Sequence, residues 1–229
     1  MIAGRDTTAL LLSWFFYQLS DKPEIEAKII AEMDEVLSEE GEITFESMKR
    51  MTYLHNVIQE SLRIYPSVPF NGFTALKDDV LPGGYFVPKD TYVVYSAYIL
   101  HRRPDLYPNP LEFDPDRFDR KPPKPFEYMS FHGGPRECLG REMAYLEAKI
   151  MIVTLLGRFR LRMNPTARVE LKRAIILTAR YGIRMNLIQT QPQSQHQHSS
   201  PSTPNEINPN DETNSDAHPS SRETELRLR

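Results

Sequence analysis

The sequence predicts a mainly α-helical fold with small β-sheets, and three observations lead to that prediction. Apolar residues recur at helical spacing in several long segments. Short runs of β-branched and aromatic residues lie between those segments, separated by Pro-Gly-Gly and similar turns. A length of 229 residues is enough for one sizeable domain.

The helical segments follow from apolar spacing and from their end signals. Asp21 is predicted as an N-cap, with Pro23 in the first turn and Glu24 completing a capping box. Pro66 is predicted to stop the helix that begins at Met51. The predicted helices are 1–20, one that starts at 21–24, a short one within the polar segment 39–50, 51–65, 97–103 and 141 to about 157. Their predicted core stripes are Ile25, Ile29, Met33 and Val36 or Leu37; Met51, Leu54, Ile58 and Leu62; and Met143, Leu146, Ile150 and Val153.

The strand segments are short and bounded by proline and glycine. We predict strands at 73–76, 85–87, 91–95, 159–163, 173–178 and 183–188, with the last two paired to each other. From Gln189 the composition changes to Gln, Ser, Asn, Pro and His without aromatic residues. Such a segment buries too little apolar surface to fold, so we predict a folded domain over 1–188 and a disordered polar tail over 189–229.

Composition limits the classes of function. The formal net charge is -3, and nothing in it favours a nucleic-acid partner. One cysteine excludes an internal disulfide. The longest apolar run, 9–17, is too short to span a bilayer, and no signal segment opens the chain.

The segment from Phe131 to Gly140 holds the only cysteine, Cys138, just before a predicted helix. A lone cysteine is usually a small buried hydrophobic residue. Here Gly134 and Gly140 would let the backbone lie close to a flat ligand, and a helix start favours a thiolate. Arg136 is a cation suited to a carboxylate on the same ligand. These features together are those of a cysteine-ligated haem site.

This pattern, F-x-x-G-x-R-x-C-x-G, resembles the haem loop of the cytochrome P450 family, the haem-thiolate monooxygenases. All five fixed positions match, at Phe131, Gly134, Arg136, Cys138 and Gly140.

The first residues, Ala3-Gly4-Arg5-Asp6-Thr7-Thr8, resemble the A-G-x-D-T-T segment of the family's distal helix. Taken alone, the segment would indicate only the start of an ordinary core helix. The resemblance implies that Ala3 and Gly4 leave space for dioxygen. A threonine hydroxyl can also bond back to its own helix, bend it and hold a water.

A pair of charged residues, Glu60 and Arg63, stands three positions apart on one helix. On its own such a pair is usually exposed. The resemblance implies a buried cluster completed by Arg117 of the Pro-Asp-Arg-Phe segment, with a structural role in fixing the loop that presents Cys138.

The resemblance implies insertion of one oxygen atom of O2 into an organic substrate, with haem b as cofactor. Cys138 would be the axial metal ligand, Arg136 would pair a haem propionate, and Phe131 would shield the sulfur. Asp6 and Thr7 would deliver protons. Electrons would come from NADPH through a partner reductase. The substrate would be a hydrophobic small molecule.

Two short segments, 78–82 and 134–136, resemble the group of fatty-acid and alkane ω-hydroxylases. One rival class is a haem-thiolate isomerase or dehydratase acting on hydroperoxides, against which the Asp6-Thr7 pair argues. The other is a non-catalytic fragment. Phe73 stands near the position where the family usually has a basic residue for a propionate. His101 and His132 are interpreted as structural histidines.

The resemblance covers 1–188 and corresponds to the C-terminal half of the family's fold. We therefore expect a truncated family member without the early helices, early strands and membrane anchor. For full-length relatives, the resemblance implies a location at the endoplasmic reticulum membrane. The sequence of this chain shows no anchor, so its compartment is either the cytoplasmic face of that membrane or unknown.

Overall fold

The computed structural model describes residues 2–190 and 224–228, which are mainly helical with small sheets, as predicted. The helices are α1 Ile2–Leu19, α2 Pro23–Glu40, α3 Phe45–Arg50, α4 Thr52–Ile64, α5 Ala97–Leu100, α6 Arg117–Arg120 and α7 Arg141–Leu156. The strands are β1 Phe70–Thr74, β2 Asp79–Leu81, β3 Tyr85–Val87, β4 Tyr92–Ser96, β5 Phe159–Met163, β6 Leu171–Arg173, β7 Leu177–Ala179, β8 Ile183–Gln189 and β9 Thr224–Leu228. In this part of the chain no helix is both long and apolar enough to cross a membrane.

The strands pair in small antiparallel sheets. β1 pairs with β4, β2 with β3 and β6 with β7, while β8 lies between β5 and β9. The predicted pairing of 173–178 with 183–188 is therefore wrong. The first of these segments divides at a short turn into parts of β6 and β7, which form a local hairpin. β8 instead extends over seven residues alongside β5, where Leu161 faces Leu187.

The C-terminal strand β9 corrects the prediction for the tail. Residues 224–228 were predicted to be disordered, but they pair with β8, with Leu226 opposite Met185. Thr-Glu-Leu-Arg-Leu alternates polar and apolar residues, and the half-buried Leu226 packs against the core. The prediction of disorder was made from the average composition of the whole tail, which does not show this five-residue alternation. The other tail residues, 191–223 and 229, lie outside the described residues.

The core lies between α1, α2, α4 and α7, and its main stripes agree with the prediction. Every residue of the predicted stripe of α4 is buried, and so are the first three residues of the α2 stripe together with Val36. Trp14 on α1 is fully buried, donates from Nε1 to the Leu177 carbonyl over 2.8 Å and stacks on Tyr65. α1 is thereby fixed to both the sheet and the end of α4.

The buried face of α7 differs from the predicted one. Met143 is 68% exposed and Ile150 is 37% exposed. Val153 is buried as predicted, and the other buried residues of the helix are Tyr145, Ala148, Lys149, Ile152 and Leu156. Lys149 belongs to this face because its Nζ donates to the carbonyls of Met48 and Met51, over 2.7 and 2.8 Å. The helix is apolar on two sides, so spacing alone did not identify the side that packs inward.

The start of α2 also differs from the prediction. Lys22, not Asp21, occupies the N-cap position, and no side chain caps the helix. The Asp21 carboxylate instead accepts from Lys22 Nζ over 2.6 Å. Pro23 lies in the first turn as predicted, where its missing N–H costs nothing.

Candidate functional site

A cavity of about 410 Å3 lies where the start of α1, the cysteine-containing loop and the start of α7 meet. Six of the residues predicted for the site line this cavity: Ala3, Gly4, Thr7, Phe131, Cys138 and Gly140. Asp6, Gly134 and Arg136 do not line it. The structure therefore brings together two motifs that are more than a hundred residues apart in the chain.

The cysteine loop is closed by its own backbone. Cys138 N–H donates to the Phe131 carbonyl over 2.8 Å, and Glu137 N–H donates to the Gly134 carbonyl over 3.0 Å. Gly134 has φ of 67°, a left-handed conformation that favours glycine. These contacts hold Cys138, which is partly exposed, at the cavity wall.

Arg136 belongs to the same loop, in the single 3₁₀ turn formed by 134–136. Its side chain is exposed, and it makes no ion pair within 2–190 and 224–228. The guanidinium is therefore available to an anion from outside this part of the chain.

An aromatic stack supports the loop from the side of α7. Phe131 packs on Tyr145 with ring centroids 5.1 Å apart, and Tyr145 packs on His55 at 4.4 Å. Burial raises the pKa of Tyr145 to about 12 and lowers the pKa of His55 to about 4. Both groups are therefore neutral near pH 7, and the stack behind Phe131 carries no charge.

On the opposite wall, Thr7 is bonded within α1 as expected for a threonine in a helix. Its Oγ1 donates to the Ala3 carbonyl over 2.7 Å. The Thr7 carbonyl accepts from Ser67 Oγ over 2.9 Å, a contact that the sequence did not indicate. A Cβ placed on Gly4 would have no described atom within 4 Å, so the helix opens toward the cavity there.

Asp6 is directed differently from Thr7. Its carboxylate accepts from Arg5 Nε over 3.0 Å, and both side chains are largely exposed. Thr7 lines the cavity, whereas Asp6 is not among its lining residues. The structure therefore places Thr7 at the cavity and Asp6 outside it.

Glu60, Arg63 and Arg117 form the buried cluster that the sequence predicted. Arg63 Nε lies 2.7 Å and Arg117 Nε 3.0 Å from the Glu60 carboxylate. The Glu60 and Arg63 side chains are 0% exposed and that of Arg117 is 9% exposed. Arg63 also donates to the carbonyls of His101 and Pro110, over 2.8 and 2.7 Å. Each charged group thus has hydrogen-bond partners, which a buried cluster requires.

His101 connects this cluster to the segment that leads into the cysteine loop. Its Nδ1 lies 3.1 Å from the Arg63 carbonyl, and its Nε2 accepts from Met129 N–H over 2.8 Å. Two such contacts require a neutral imidazole with its proton on Nδ1. Burial lowers the pKa of His101 to about 3. His101 is therefore structural, as interpreted from the sequence.

We expect this histidine to make stability fall on acidification. The pKa of His101 is about 3 in the folded chain and about 6.5 when unfolded, so the unfolded chain binds more protons between these values. The free energy of unfolding should fall by about 1 kcal/mol from pH 6.5 to 5.5 on this account. Denaturant unfolding at each pH measures it. His101→Gln should flatten the slope, and an unchanged slope would contradict this role.

Several residues at the site were missed or given another role. Met143, predicted as core, lines the cavity together with Thr8 and Ser67. His132 also lines the cavity, and Phe73 lies on the neighbouring sheet, where it stacks on Tyr95. A stripe of apolar residues does not distinguish a core face from a cavity face, which explains Met143.

The comparisons agree with this geometry. The sequence model of the family described as Cytochrome P450 matches residues 1–186. The mouse protein named Cytochrome P450 4V2 is 38% identical over 193 residues, and the Arabidopsis thaliana protein named Cytochrome P450 86B1 is 34% identical over 205 residues. Each alignment covers 82% of this chain and 36% or 37% of the relative.

Solved structures are similar as well. The retinoic acid-bound cyanobacterial CYP120A1 superposes with a TM-score of 0.75 at 33% identity, over 82% of this chain and 44% of that one. A mutant haem domain of cytochrome P450DA gives 0.76 at 29% identity, over 85% of this chain and 43% of that one. The chain thus spans about a third of the length of its curated relatives. With the family sequence match and these superpositions together, the chain belongs to the cytochrome P450 family.

Proposed function

We propose that this chain is part of a haem-thiolate monooxygenase. It would supply the loop whose cysteine binds the haem iron and the helix that lies beside the bound dioxygen. The observation that supports the proposal is that Cys138 and Thr7, from the two family motifs, line one cavity. In the net reaction one atom of O2 enters an organic substrate as a hydroxyl and the other leaves as water. Two electrons from NADPH, delivered by a reductase, and two protons complete the balance.

The residues at the cavity fit haem b. Cys138 supplies one soft sulfur donor, which suits iron, and it is the only cysteine in the chain. Gly140 leaves the backbone beside the sulfur uncovered. Arg136 makes no ion pair with the residues that the structure describes, so it can offer its cation to a propionate. When bound, haem would supply the activation of O2.

The chain's own residues would position the substrate and move protons. The Thr7 hydroxyl is held at the cavity because it donates to the Ala3 carbonyl. Its oxygen can accept a hydrogen bond from a water molecule that carries the proton. Asp6 lies one residue away at the surface, where it can exchange protons with solvent. We infer a route from Asp6 to Thr7 through water, because Thr7 lines the cavity and Asp6 does not.

The substrate class that we propose is a fatty acid or an alkane. The similarity of segments 78–82 and 134–136 to the ω-hydroxylase group supports it. The cavity also has small or apolar side chains at Ala3, Leu11 and Val68, which suit a hydrocarbon chain. By resemblance alone, we propose the endoplasmic reticulum membrane for full-length relatives and its cytoplasmic face for this chain.

Thr7→Ala tests the proton-delivery part of the function. With haem b, NADPH and a reductase, the variant should retain haem and consume O2, but product formed per O2 consumed should fall by roughly tenfold or more, since a positioned proton donor contributes about 10²–10⁴ in rate. The Ser67 contact goes to the Thr7 backbone, so the substitution leaves it in place. Peroxide release and hydroxylated fatty acid are the two measured products.

Thr154→Ala is a matched control. Thr154 Oγ1 donates to the Ile150 carbonyl over 2.7 Å, the same type of bond that Thr7 makes, but on the exposed face of α7. The control should keep the parental ratio of product to O2. An unchanged ratio in Thr7→Ala would exclude Thr7 from proton delivery. Absence of hydroxylation by the parental chain would favour the non-catalytic fragment, and turnover of a hydroperoxide without O2 would favour the isomerase or dehydratase alternative.

A further inference from the structure

A small polar cluster lies beside the cavity, on one face of the sheet formed by β1 and β4. Asn71 and Tyr95 are directly opposite each other in the register of the two strands. Asn71 Nδ2 lies 2.6 Å and the Tyr95 hydroxyl 3.0 Å from Nδ1 of His132. Phe73 is two residues beyond Asn71 on the same face, and its ring stacks on Tyr95.

These contacts determine which nitrogen of His132 carries the proton. An amide nitrogen such as Asn71 Nδ2 only donates, so Nδ1 accepts and the proton of the neutral ring is on Nε2. Within 2–190 and 224–228, Nε2–H has no hydrogen-bond partner. The cluster therefore orients a ring that has one free donor.

His132 lies at the wall of the cavity. His132 is half-buried and lines the cavity that contains Cys138. Its φ is 64°, a left-handed conformation that is uncommon for a residue other than glycine. Two side-chain contacts from a separate sheet hold this residue in place. An oriented donor beside a largely apolar cavity suits an anionic oxygen of a ligand there.

We propose that His132 Nε2 binds a propionate carboxylate of the haem, and that Asn71 and Tyr95 are positioning residues for it. This inference rests on the proposed function, because it requires haem in the cavity. The proposal also explains why Phe73 can stand near the position where the family usually has a basic residue. The hydrogen bond to the propionate would come from His132 in the loop and not from a side chain of β1. The carboxylate of a fatty-acid substrate is the other anionic group that His132 Nε2 could bind.

The test compares two porphyrins. The full chain is titrated with ferric haem b and with its dimethyl ester, in which both propionate charges are absent. The parental chain should bind the free acid at least about tenfold more tightly, the factor that about 1.4 kcal/mol represents. His132→Asn should lower this preference by several-fold, and the part of the preference that Arg136 contributes should remain. Asparagine tolerates the left-handed backbone, so the variant should fold, which circular dichroism checks.

His55→Asn is the matched control for loss of an imidazole, because His55 does not line this cavity. Any loosening of its stack on Tyr145 should weaken binding of both porphyrins equally. It should keep the parental preference for the free acid. Equal preferences in His132→Asn and the parental chain, or no binding of either porphyrin, would overturn the proposal. So would a His132→Asn variant that loses only affinity for palmitate. If the chain binds haem without a thiolate ligand but still prefers the free acid to the ester, the proposed function would be contradicted and the role of His132 would not.

Discussion

Glu60→Ala is expected to lower the free energy of unfolding by about 3–5 kcal/mol, the cost of leaving a buried charge without its partner. Glu60 accepts from Arg63 and Arg117, and it also accepts from Asp114 N–H over 2.9 Å. The Arg63 side chain is 0% exposed, so water cannot replace the lost carboxylate. Denaturant unfolding of the parental and variant chains measures the difference.

Glu46→Ala provides the matched control. Glu46 pairs with Lys49 at the same three-residue spacing on a helix, over 3.0 Å, but the two side chains are 68% and 56% exposed. Its removal should cost no more than about 1 kcal/mol. If Glu60→Ala and Glu46→Ala destabilise the chain equally, the buried cluster does not have the structural role assigned to it.

The residue pattern predicted the elements whose signals are local. The stripe of α4 and the buried pairing of Glu60 with Arg63 follow from helical spacing together with the family motif. The strands β3 and β5 have the predicted bounds. Proline and glycine turns enclose the first of these, so local chemistry fixes its ends.

Long-range contacts decided what local spacing could not. β8 pairs with β5 rather than with its nearer neighbour, because register along a sheet depends on the whole apolar face. Lys149 enters the core because two carbonyls of a distant segment accept from it. No pattern within α7 indicates those acceptors.

The same limit applies to the candidate site. Matching motifs identified Cys138 and Thr7, and the structure brings both to one cavity. The motif indicated that both Asp6 and Thr7 deliver protons, whereas only Thr7 lines the cavity. The contacts of His132 with Asn71 and Tyr95 depend on how a loop and a sheet meet, which the sequence does not encode locally.

Loss of the thiolate is the other large effect that we expect. Cys138 is the only cysteine in the chain, so Cys138→Ser leaves no other thiolate that could bind the iron. Serine keeps nearly the same size and the same backbone contact to Phe131, so the loop should stay closed. A serine hydroxyl is a hard donor and does not supply the electron density of a thiolate.

The carbon monoxide spectrum of the reduced, haem-loaded chain tests the central claim most directly. Leu139→Ser is the control, because Leu139 is fully exposed, lines the same cavity and lies next to the cysteine. The parental chain and Leu139→Ser should both show the red-shifted Soret band of a thiolate-ligated haem, and Cys138→Ser should lack it. Persistence of that band in Cys138→Ser would contradict the assignment of Cys138 as the iron ligand.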